Sequence, residues 1–243
     1  LLILLSVVCM FPFLLMIVNA TRSGSEIMKS FTLIPSVYLK ENWATVFKYF
    51  NLFLGMWNSL KVAVPSTLLC AYFSAMTAYA LAMYKFKGNK VLFMTILIFM
   101  MIPGQLGLIG FYNLCTKLHL VNSYIPLIIP AIASPGTVFF LRQYVLSVMP
   151  PSLIEAARID GSGEFHTFNN IVLPLMKPAI AVQAIFTFVS SWNNYFVPAL
   201  ILHNDKKKTL PILIAQLRAA DWLKFDMGQV YVMIAFSIFP VII

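Results

Sequence analysis

The residues of this chain that could carry chemistry are concentrated in one polar stretch, residues 142–178. Its charged side chains include Glu155, Arg158 and Asp160, which stand among small and apolar residues. They offer a surface for contact through apolar burial and charge, and they contain no Ser–His–Asp or Cys–His arrangement for nucleophilic catalysis. The pattern therefore predicts a small apolar knob ringed by charge. The alternative is an amphipathic hairpin with a purely structural role.

Local signals predict that this stretch folds as helix–turn–helix. Pro150 and Pro151 favour a helix start, with Ser152 as a candidate cap. Gly161 favours a sharp stop, because glycine adopts the left-handed conformation readily. A second short helix is expected from about Glu164. The apolar residues expected to line the two helices are Leu153, Ala156 and Ala157 in the first, and Phe165, Phe168, Ile171 and Val172 in the second.

Several other chemistries are missing from the sequence. No Gly-x-x-x-x-Gly-Lys-Ser/Thr loop is present, so the chain is not expected to cradle nucleotide phosphates itself. His119, His166 and His203 lie far apart without metal-ligand spacing, and the three cysteines fall in apolar stretches. The net charge of +9 is spread over loops, which favours juxtamembrane solvation over nucleic-acid binding. No metal site, resident cofactor or nucleic-acid partner is predicted.

The elements that must position the polar stretch are membrane spans. The chain is 60% hydrophobic and only 10% charged, with a mean hydropathy of +0.87, which excludes an ordinary soluble globule. About 20 apolar residues cross a bilayer core. Six stretches without Asp, Glu, Lys or Arg predict an all-α membrane protein of six transmembrane helices, expected to be part of a slightly longer chain. These stretches are 1–21, 62–84, 91–116, 118–141, 178–204 and 227–243.

The spans divide the chain into two predicted parts. Residues 1–57 hold the first span and a polar, aromatic-rich extracytoplasmic segment, and residues 58–243 hold the remaining core. Pro103-Gly104 is expected to break the third span. Lys and Arg number six on the side that carries the 142–178 loop and ten on the other. This count by itself places the loop outside the cell.

The motif Glu155-Ala156-Ala157-x3-Gly161-x9-Ile171-x-Leu173-Pro174 resembles, at every fixed position, the EAA signature of bacterial ABC importer permeases. Asp160-Gly161, Trp192-Asn193 and Thr209-Leu210-Pro211 are similar to the carbohydrate branch, the maltose and oligosaccharide-type permeases. The resemblance covers about 58–243. It implies a type I importer fold with a methionine-importer-like (MetI-like) transmembrane domain in a bacterial cell membrane.

The resemblance also implies a mechanism and partners. The loop would be a cytoplasmic coupling helix seated in an ATPase subunit, which overrides the charge count. Two ATPase subunits carrying ATP and Mg, a second related permease and an extracytoplasmic sugar-binding protein would complete the transporter, and this chain would not be an enzyme. The implied coupling residues are Glu155, Ala156, Ala157, Arg158, Asp160, Gly161, Ile171, Leu173 and Pro174.

A sugar-binding site needs aromatic rings for stacking and amides for hydrogen bonds. Span five supplies both, and span three offers weaker candidates, so the predicted substrate-path residues are Trp192, Asn193, Asn194, Tyr195, Gln105 and Asn113. Trp192 and Tyr195 could equally form an interfacial aromatic belt. Asn58 at the start of span two is a still weaker candidate, with a helix cap as the alternative, and Lys206–Lys208 is expected to be a solvated loop.

Three other functions remain open on the sequence. The first is an ABC permease for peptides or amino acids. The second is an ion-coupled secondary carrier, which the absence of carboxylates inside the spans disfavours. The third is a membrane scaffold whose hairpin only docks a partner.

Overall fold

A computed structural model describes residues 1–219 and 226–242, and every regular element within those ranges is a helix. In chain order the α-helices are α1 (Leu2–Ala20), α2 (Gly24–Lys29), α3 (Leu39–Tyr49), α4 (Leu52–Met83), α5 (Asn89–Met101), α6 (Leu108–Lys117), α7 (Ile125–Ile128), α8 (Pro135–Val148), α9 (Pro151–Ile159), α10 (Glu164–Thr167), α11 (Leu173–Leu175), α12 (Lys177–Trp192), α13 (Phe196–Ile201), α14 (Leu210–Arg218) and α15 (Met227–Ile242). Short 3-10 turns precede α6, α8 and α14, and a π-helical turn, Phe168–Val172, joins α10 to α11.

Three helical segments are long and apolar enough to cross a membrane: Leu2–Ala20, Leu52–Met83 and Ile125–Val148. Two bent pairs pass the same test together, α5 with Gly104–Lys117 at 90° and Glu164–Leu175 with α12 at 79°. The described residues therefore hold three candidate spans, or up to five if each bent pair is one span, and α15 is a shorter apolar helix. The predicted all-helical class is confirmed, and the count of six spans stays a prediction.

The break predicted in span three is confirmed. Helix α5 ends at Met101, and Ile102 and Pro103 are both extended, with ψ near 121°. A residue before proline is pushed out of the helical region, and proline cannot donate the next helical hydrogen bond. The chain then resumes as the 3-10 turn Gly104–Gly107 and α6.

The described chain forms two compact units. One unit combines Leu1–Ser59 with His203–Ile243. In it α15 packs on α1 and α3, and the rings of Trp43, Phe47, Phe53 and Phe236 meet at centroid distances of 4.6–6.2 Å. This unit groups C-terminal helices with N-terminal ones, whereas the predicted parts were divided at residue 57. The functional meaning of the predicted division stays a prediction.

Two polar side chains fasten this unit internally. Buried Arg22 donates hydrogen bonds to the carbonyls of Glu26 and Ser30, which satisfies a charge that burial would otherwise destabilise. Asn58 donates to the carbonyls of Lys206 and Lys208 at 2.9 and 3.0 Å. The alternative that Asn58 caps a helix is wrong, because α4 begins at Leu52, and Asn58 instead holds the lysine loop.

The second unit, Leu60–Leu202, is organised around a buried cluster that supports the 142–178 loop. Helix α4 contributes small residues, which allow other helices to approach closely. The cluster comprises Ala75, Ala78 and Tyr79 of α4, Leu141, Val145 and Met149 at α8, Ile154 of α9, Phe168 and Val172 of the π turn, and Met176 and Ala179 at the start of α12.

Candidate functional site

Helix α9 begins and ends through backbone rules that its sequence encodes. Pro150 precedes it in extended conformation and Pro151 is its first residue, so the missing proline N–H costs no helical bond. Ser152 lies inside the helix, and its predicted role as the cap is wrong. Gly161 has φ of +78°, as predicted. The Ser162 N–H donates to the Ala157 carbonyl and the Gly161 N–H to the Arg158 carbonyl, the two bonds of a Schellman stop.

The apolar face predicted for α9 is only partly buried. Ile154 is buried in the supporting cluster and Ala157 is also buried, while Glu155 and Ala156 are exposed. Ala156 and Ala157, which were predicted to line one face together, therefore differ: Ala157 packs inward and Ala156 is exposed. Ala156 instead leaves the surface beside the Glu155 carboxylate uncrowded.

Two large apolar side chains of the loop are exposed, one at the end of α9 and one in α10. Ile159 is 87% exposed and Phe165 is 68% exposed, although each belongs to a short helix with a buried face. Glu155, Arg158 and Asp160 are exposed too, so the loop presents to solvent the kinds of side chain that the predicted knob requires, and we call these five residues the knob. Exposed apolar groups rimmed by charge are typical of a surface that another protein covers. Ile159 was not among the predicted coupling residues. Its position between Arg158 and Asp160, which were, could have identified it.

A polar cluster fastens the knob to the end of α4. Arg158 pairs with the Glu164 carboxylate at 3.0 Å, and the Tyr84 hydroxyl donates to the same carboxylate. The Arg158 guanidinium also lies 5.0 Å from the centre of the Tyr84 ring. Burial, and next the hydrogen bond to Glu164, raise the pKa of Tyr84, so its hydroxyl remains a donor at neutral pH. Sequence reasoning missed Glu164 and Tyr84 as functional candidates.

The return path of the loop contains the rest of the motif. Pro174 has no N–H to donate to the Asn170 carbonyl, and the preceding turn, Phe168–Val172, is a π-helix. Ile171 and Leu173 are half-buried and Pro174 is exposed. The structure thus brings all the predicted coupling residues into one supported loop, and their contact with an ATPase stays a prediction.

A polar cavity of about 420 Å³ lies among α4, α7, α8 and α12. Eight of its twelve lining residues carry a hydroxyl or an amide, and none of the lining residues is charged. The residues are Ser66, Leu127, Ala131, Ser134, Gly136, Thr137, Gln183, Phe186, Thr187, Ser190, Ser191 and Asn194.

Hydrogen bonds between spans hold the cavity wall. The Cys70 sulfur of α4 lies 3.6 Å from the Thr137 hydroxyl of α8 and 3.7 Å from the Thr187 hydroxyl of α12. Ser134 donates to the Thr137 hydroxyl at 2.9 Å. Ser66 donates to the Leu127 carbonyl at 3.3 Å. Three separate segments of the chain thus meet around one polar space.

Of the predicted substrate-path residues, Asn194 lines this cavity and the others do not. Trp192 is only 2% exposed, and its ring stacks on Phe188 with centroids 5.8 Å apart. Asn193 and Tyr195 are exposed in the break between α12 and α13. Gln105 and Asn113 are exposed in the turn before α6 and in α6 itself. Contact of any of them with a substrate stays a prediction.

Comparison with known proteins defines the class. Residues 68–243 match the family model for the binding-protein-dependent transport system inner membrane component. Because this match covers well over half of the chain, the protein belongs to that family. It is a membrane permease subunit of an ABC importer with the MetI-like transmembrane fold. Membership in a permease family agrees with a transport role rather than an enzymatic one.

The chain is also similar to individual transport proteins. The chain is 36% identical, over 99% of its length and 86% of the relative's, to the arabinooligosaccharides transport system permease protein AraQ of Bacillus subtilis. It is 40% identical to AraQ of Halalkalibacterium halodurans, over 86% of this chain and 76% of that one. The fold is similar to a bacterial ABC transporter involved in the import of the acidic polysaccharide alginate, with a TM-score of 0.82 and 21% identity over 99% of this chain and 90% of that one.

Proposed function

We propose that this permease subunit imports a neutral carbohydrate, most simply an oligosaccharide. The observation that carries the proposal is the polar cavity, whose lining offers hydroxyls and amides without a charged side chain. A sugar presents hydroxyls that such groups pair with one by one. A free amino acid or a peptide would bring ammonium and carboxylate groups into the spans, where unpaired charges are costly. The named relatives transport arabino-oligosaccharides, which supports the same substrate class.

The 142–178 loop is the contact for an ATPase subunit in this proposal. Exposed Glu155 accepts a charge-assisted hydrogen bond from a basic group of the ATPase. Ile159 and Phe165 fill an apolar cleft there, which removes from water the largest apolar side chains of the knob. This assignment places the loop on the cytoplasmic side.

In this proposal, the buried cluster transmits a movement of the ATPase from the loop to the membrane helices. The buried cluster joins α9 and the π turn to α4, α8 and α12, so a displacement of the knob carries those helices with it. The cavity lies among the same three helices. Drawing the ATPase subunits together on ATP would therefore alter access to the cavity, a coupling of free energies between the nucleotide and substrate sites. ATP and Mg belong to the ATPase, and this chain binds no cofactor.

The remaining parts of the proposed transporter are a second related permease, a second ATPase subunit and an extracytoplasmic sugar-binding protein in a bacterial cell membrane. The family description, a binding-protein-dependent transport system, supports the last of these. The second permease is required in the proposal because one chain forms only half of a pathway.

The test is ATP hydrolysis by the intact complex reconstituted in lipid vesicles with its binding protein. We expect an arabino-oligosaccharide to stimulate hydrolysis and to accumulate inside, and a tripeptide or a free amino acid to do neither. Stimulation by the peptide but not by the sugar would overturn the substrate assignment. Uptake that persists without the ATPase subunits and collapses with an ion gradient would overturn the coupling mechanism.

A further inference from the structure

A second, strongly basic pocket lies at the end of α4, away from the polar cavity. It has a volume of about 660 Å³ and is lined by residues 81–82, 84–91 and Arg142. Lys85, Lys87 and Lys90 supply three ammonium groups and Arg142 a guanidinium, and none of the lining residues is acidic. We call this space the basic pocket. Of its lining residues, only Tyr84 also belongs to the cluster that holds the knob, and the lysines and Arg142 take no part in the proposed coupling or substrate path.

The four cations of the basic pocket are not neutralised by the protein. In the unit to which the pocket belongs, the described carboxylates are Glu155, Asp160 and Glu164. Glu164 is already paired with Arg158 and Tyr84. Within residues 1–219 and 226–242, none of the four cations forms an ion pair with a carboxylate. Like charges held together without a counter-ion repel one another, so an anion in the pocket would lower their energy.

Two further features fix the cations in place or add to their field. The Arg142 guanidinium lies 3.9 Å from the centre of the Phe93 ring, and its Nε donates to the Leu81 carbonyl at 3.4 Å. Helix α5 begins at Asn89, so the partial positive charge of its N-terminus has the same sign as the lysines.

The turn that carries the lysines is held in one conformation by hydrogen bonds and by a glycine. The Asn89 amide donates to the carbonyls of Leu81 and Tyr84 at 3.2 and 2.8 Å. Gly88 has φ of +94°, a left-handed conformation that lets the chain reverse into α5. The Leu81 carbonyl therefore anchors both Asn89 and Arg142, which belong to different helices. The pocket is held by these bonds and is not merely a place where flexible lysines pass.

We propose that the basic pocket binds the phosphate of an anionic phospholipid headgroup, of the phosphatidylglycerol type, from the cytoplasmic leaflet. Cationic pockets beside membrane helices on that side select such headgroups. Directly beyond the pocket, α5 exposes Val91, Leu92 and Met94 by 68, 51 and 57%. That apolar surface suits acyl chains, which free phosphate lacks. The leaflet rests on the proposed function, which places residues 84–90 on the same side as the 142–178 loop.

The test compares lipid binding to the purified intact complex by native mass spectrometry. Dioleoyl phosphatidylglycerol and dioleoyl phosphatidylcholine are added in turn, since they share acyl chains and differ in net charge. We expect preferential retention of phosphatidylglycerol by the wild type. The triple variant Lys85→Gln/Lys87→Gln/Lys90→Gln should lose affinity by about fivefold per lysine, or roughly 100-fold together. The control Lys29→Gln/Lys40→Gln/Lys117→Gln removes the same charge elsewhere and should retain wild-type binding.

Each other outcome overturns the inference in a distinct way. Equal retention of the two lipids, or wild-type retention by the pocket variant, shows that the pocket does not select an anionic headgroup. Displacement of the lipid by millimolar inorganic phosphate shows a site for a free anion. Loss of the ATPase subunits from the pocket variant alone shows a protein-docking surface. Sugar-stimulated ATP hydrolysis in the same wild-type preparation separates these failures from a failure of the proposed function.

Discussion

The 142–178 loop and the polar cavity are built in opposite ways, although both lie in the unit formed by residues 60–202. The loop takes its functional surface from one continuous run of sequence, and a buried cluster only supports it. The cavity takes its lining from residues that are up to 128 positions apart, from Ser66 to Asn194. Its polar groups are small hydroxyls and amides, each from a different residue, and no single residue defines it.

This difference bears on how each region tolerates substitution. The loop depends on a few backbone conformations and one carboxylate, so single changes there should have large effects. The cavity shares recognition among many hydroxyls and amides, each worth a modest hydrogen bond. Its single changes should therefore have small effects. The predictions below test this contrast, beginning with the largest effect.

Gly161→Pro should abolish coupled uptake. Proline requires φ near −65°, whereas Gly161 has φ of +78°, and the substitution also removes the N–H that bonds to the Arg158 carbonyl. The turn after α9 would open and the knob would lose its shape. Sugar uptake and ATPase retention in the purified complex are the measurements. Gly163→Ala is the matched control, because Gly163 has φ of −70° and open space at its Cβ position. Normal uptake by Gly161→Pro would remove the turn from the mechanism.

Glu155→Ala should reduce uptake by about tenfold or more while the protein still inserts and folds. The exposed side chain contributes little to stability, and a charge-assisted hydrogen bond to the ATPase is worth about 1.5–3 kcal/mol. The measurement is the affinity of the ATPase subunit for the permease, read beside sugar uptake. Glu41→Ala removes another exposed carboxylate and should leave both unchanged. Equal behaviour of the two variants would show that Glu155 makes no contact that matters.

Tyr84→Phe should lower the ratio of sugar taken up to ATP hydrolysed by a few-fold. The ring that lies under Arg158 is kept, and only the hydroxyl that donates to Glu164 is lost. Tyr84 is thus a positioning residue, which acts on the knob through Glu164 and Arg158. Tyr112→Phe is a control in α6. A simple loss of stability would lower both rates together, so an unchanged ratio would contradict the positioning role.

Ser190→Ala should raise the KM for sugar by about two- to tenfold with the ATPase still bound, because it removes one hydroxyl from the cavity and leaves its shape. One hydrogen bond contributes about 0.5–1.5 kcal/mol. Ser147→Ala, near the end of α8, deletes a hydroxyl that bonds locally to the Tyr144 carbonyl and should not change KM. An effect on the maximal rate alone would argue that Ser190 acts on the conformational change and not on the sugar.

The contrast between the two regions also explains what the sequence could predict. Helix α9 and its stop at Gly161 follow from proline and glycine, whose backbone preferences are local. The pairing of Glu164 with Tyr84 joins residues 80 positions apart, and no local pattern specifies it. The sequence placed Ala156 and Ala157 on one apolar face of α9, but it could not say which apolar residues are buried, because that depends on the packing of Ile154 against α4 and α8.

The smallest expected effect concerns Trp192. Composition alone made it a candidate for sugar stacking, because an aromatic ring beside amides fits a sugar site and a packed core equally well. The structure buries the ring against Phe188 and away from the cavity. Trp192→Phe keeps an aromatic ring in that place, so sugar KM should stay within about twofold of the wild type. Trp192→Ala should instead reduce the amount of folded protein, since truncating a buried tryptophan costs about 3–5 kcal/mol.

Measuring both variants separates packing from binding. A packing role predicts normal KM in Trp192→Phe and a low yield of Trp192→Ala with normal KM for whatever folds. A binding role predicts a raised KM in both variants at full yield, because phenylalanine lacks the indole N–H and part of the stacking surface. In that case the aromatic residues of span five would contact sugar in a conformation other than this one. Sugar recognition would then depend strongly on one residue, as coupling depends on a few residues of the loop. The two regions would no longer differ in how they tolerate substitution.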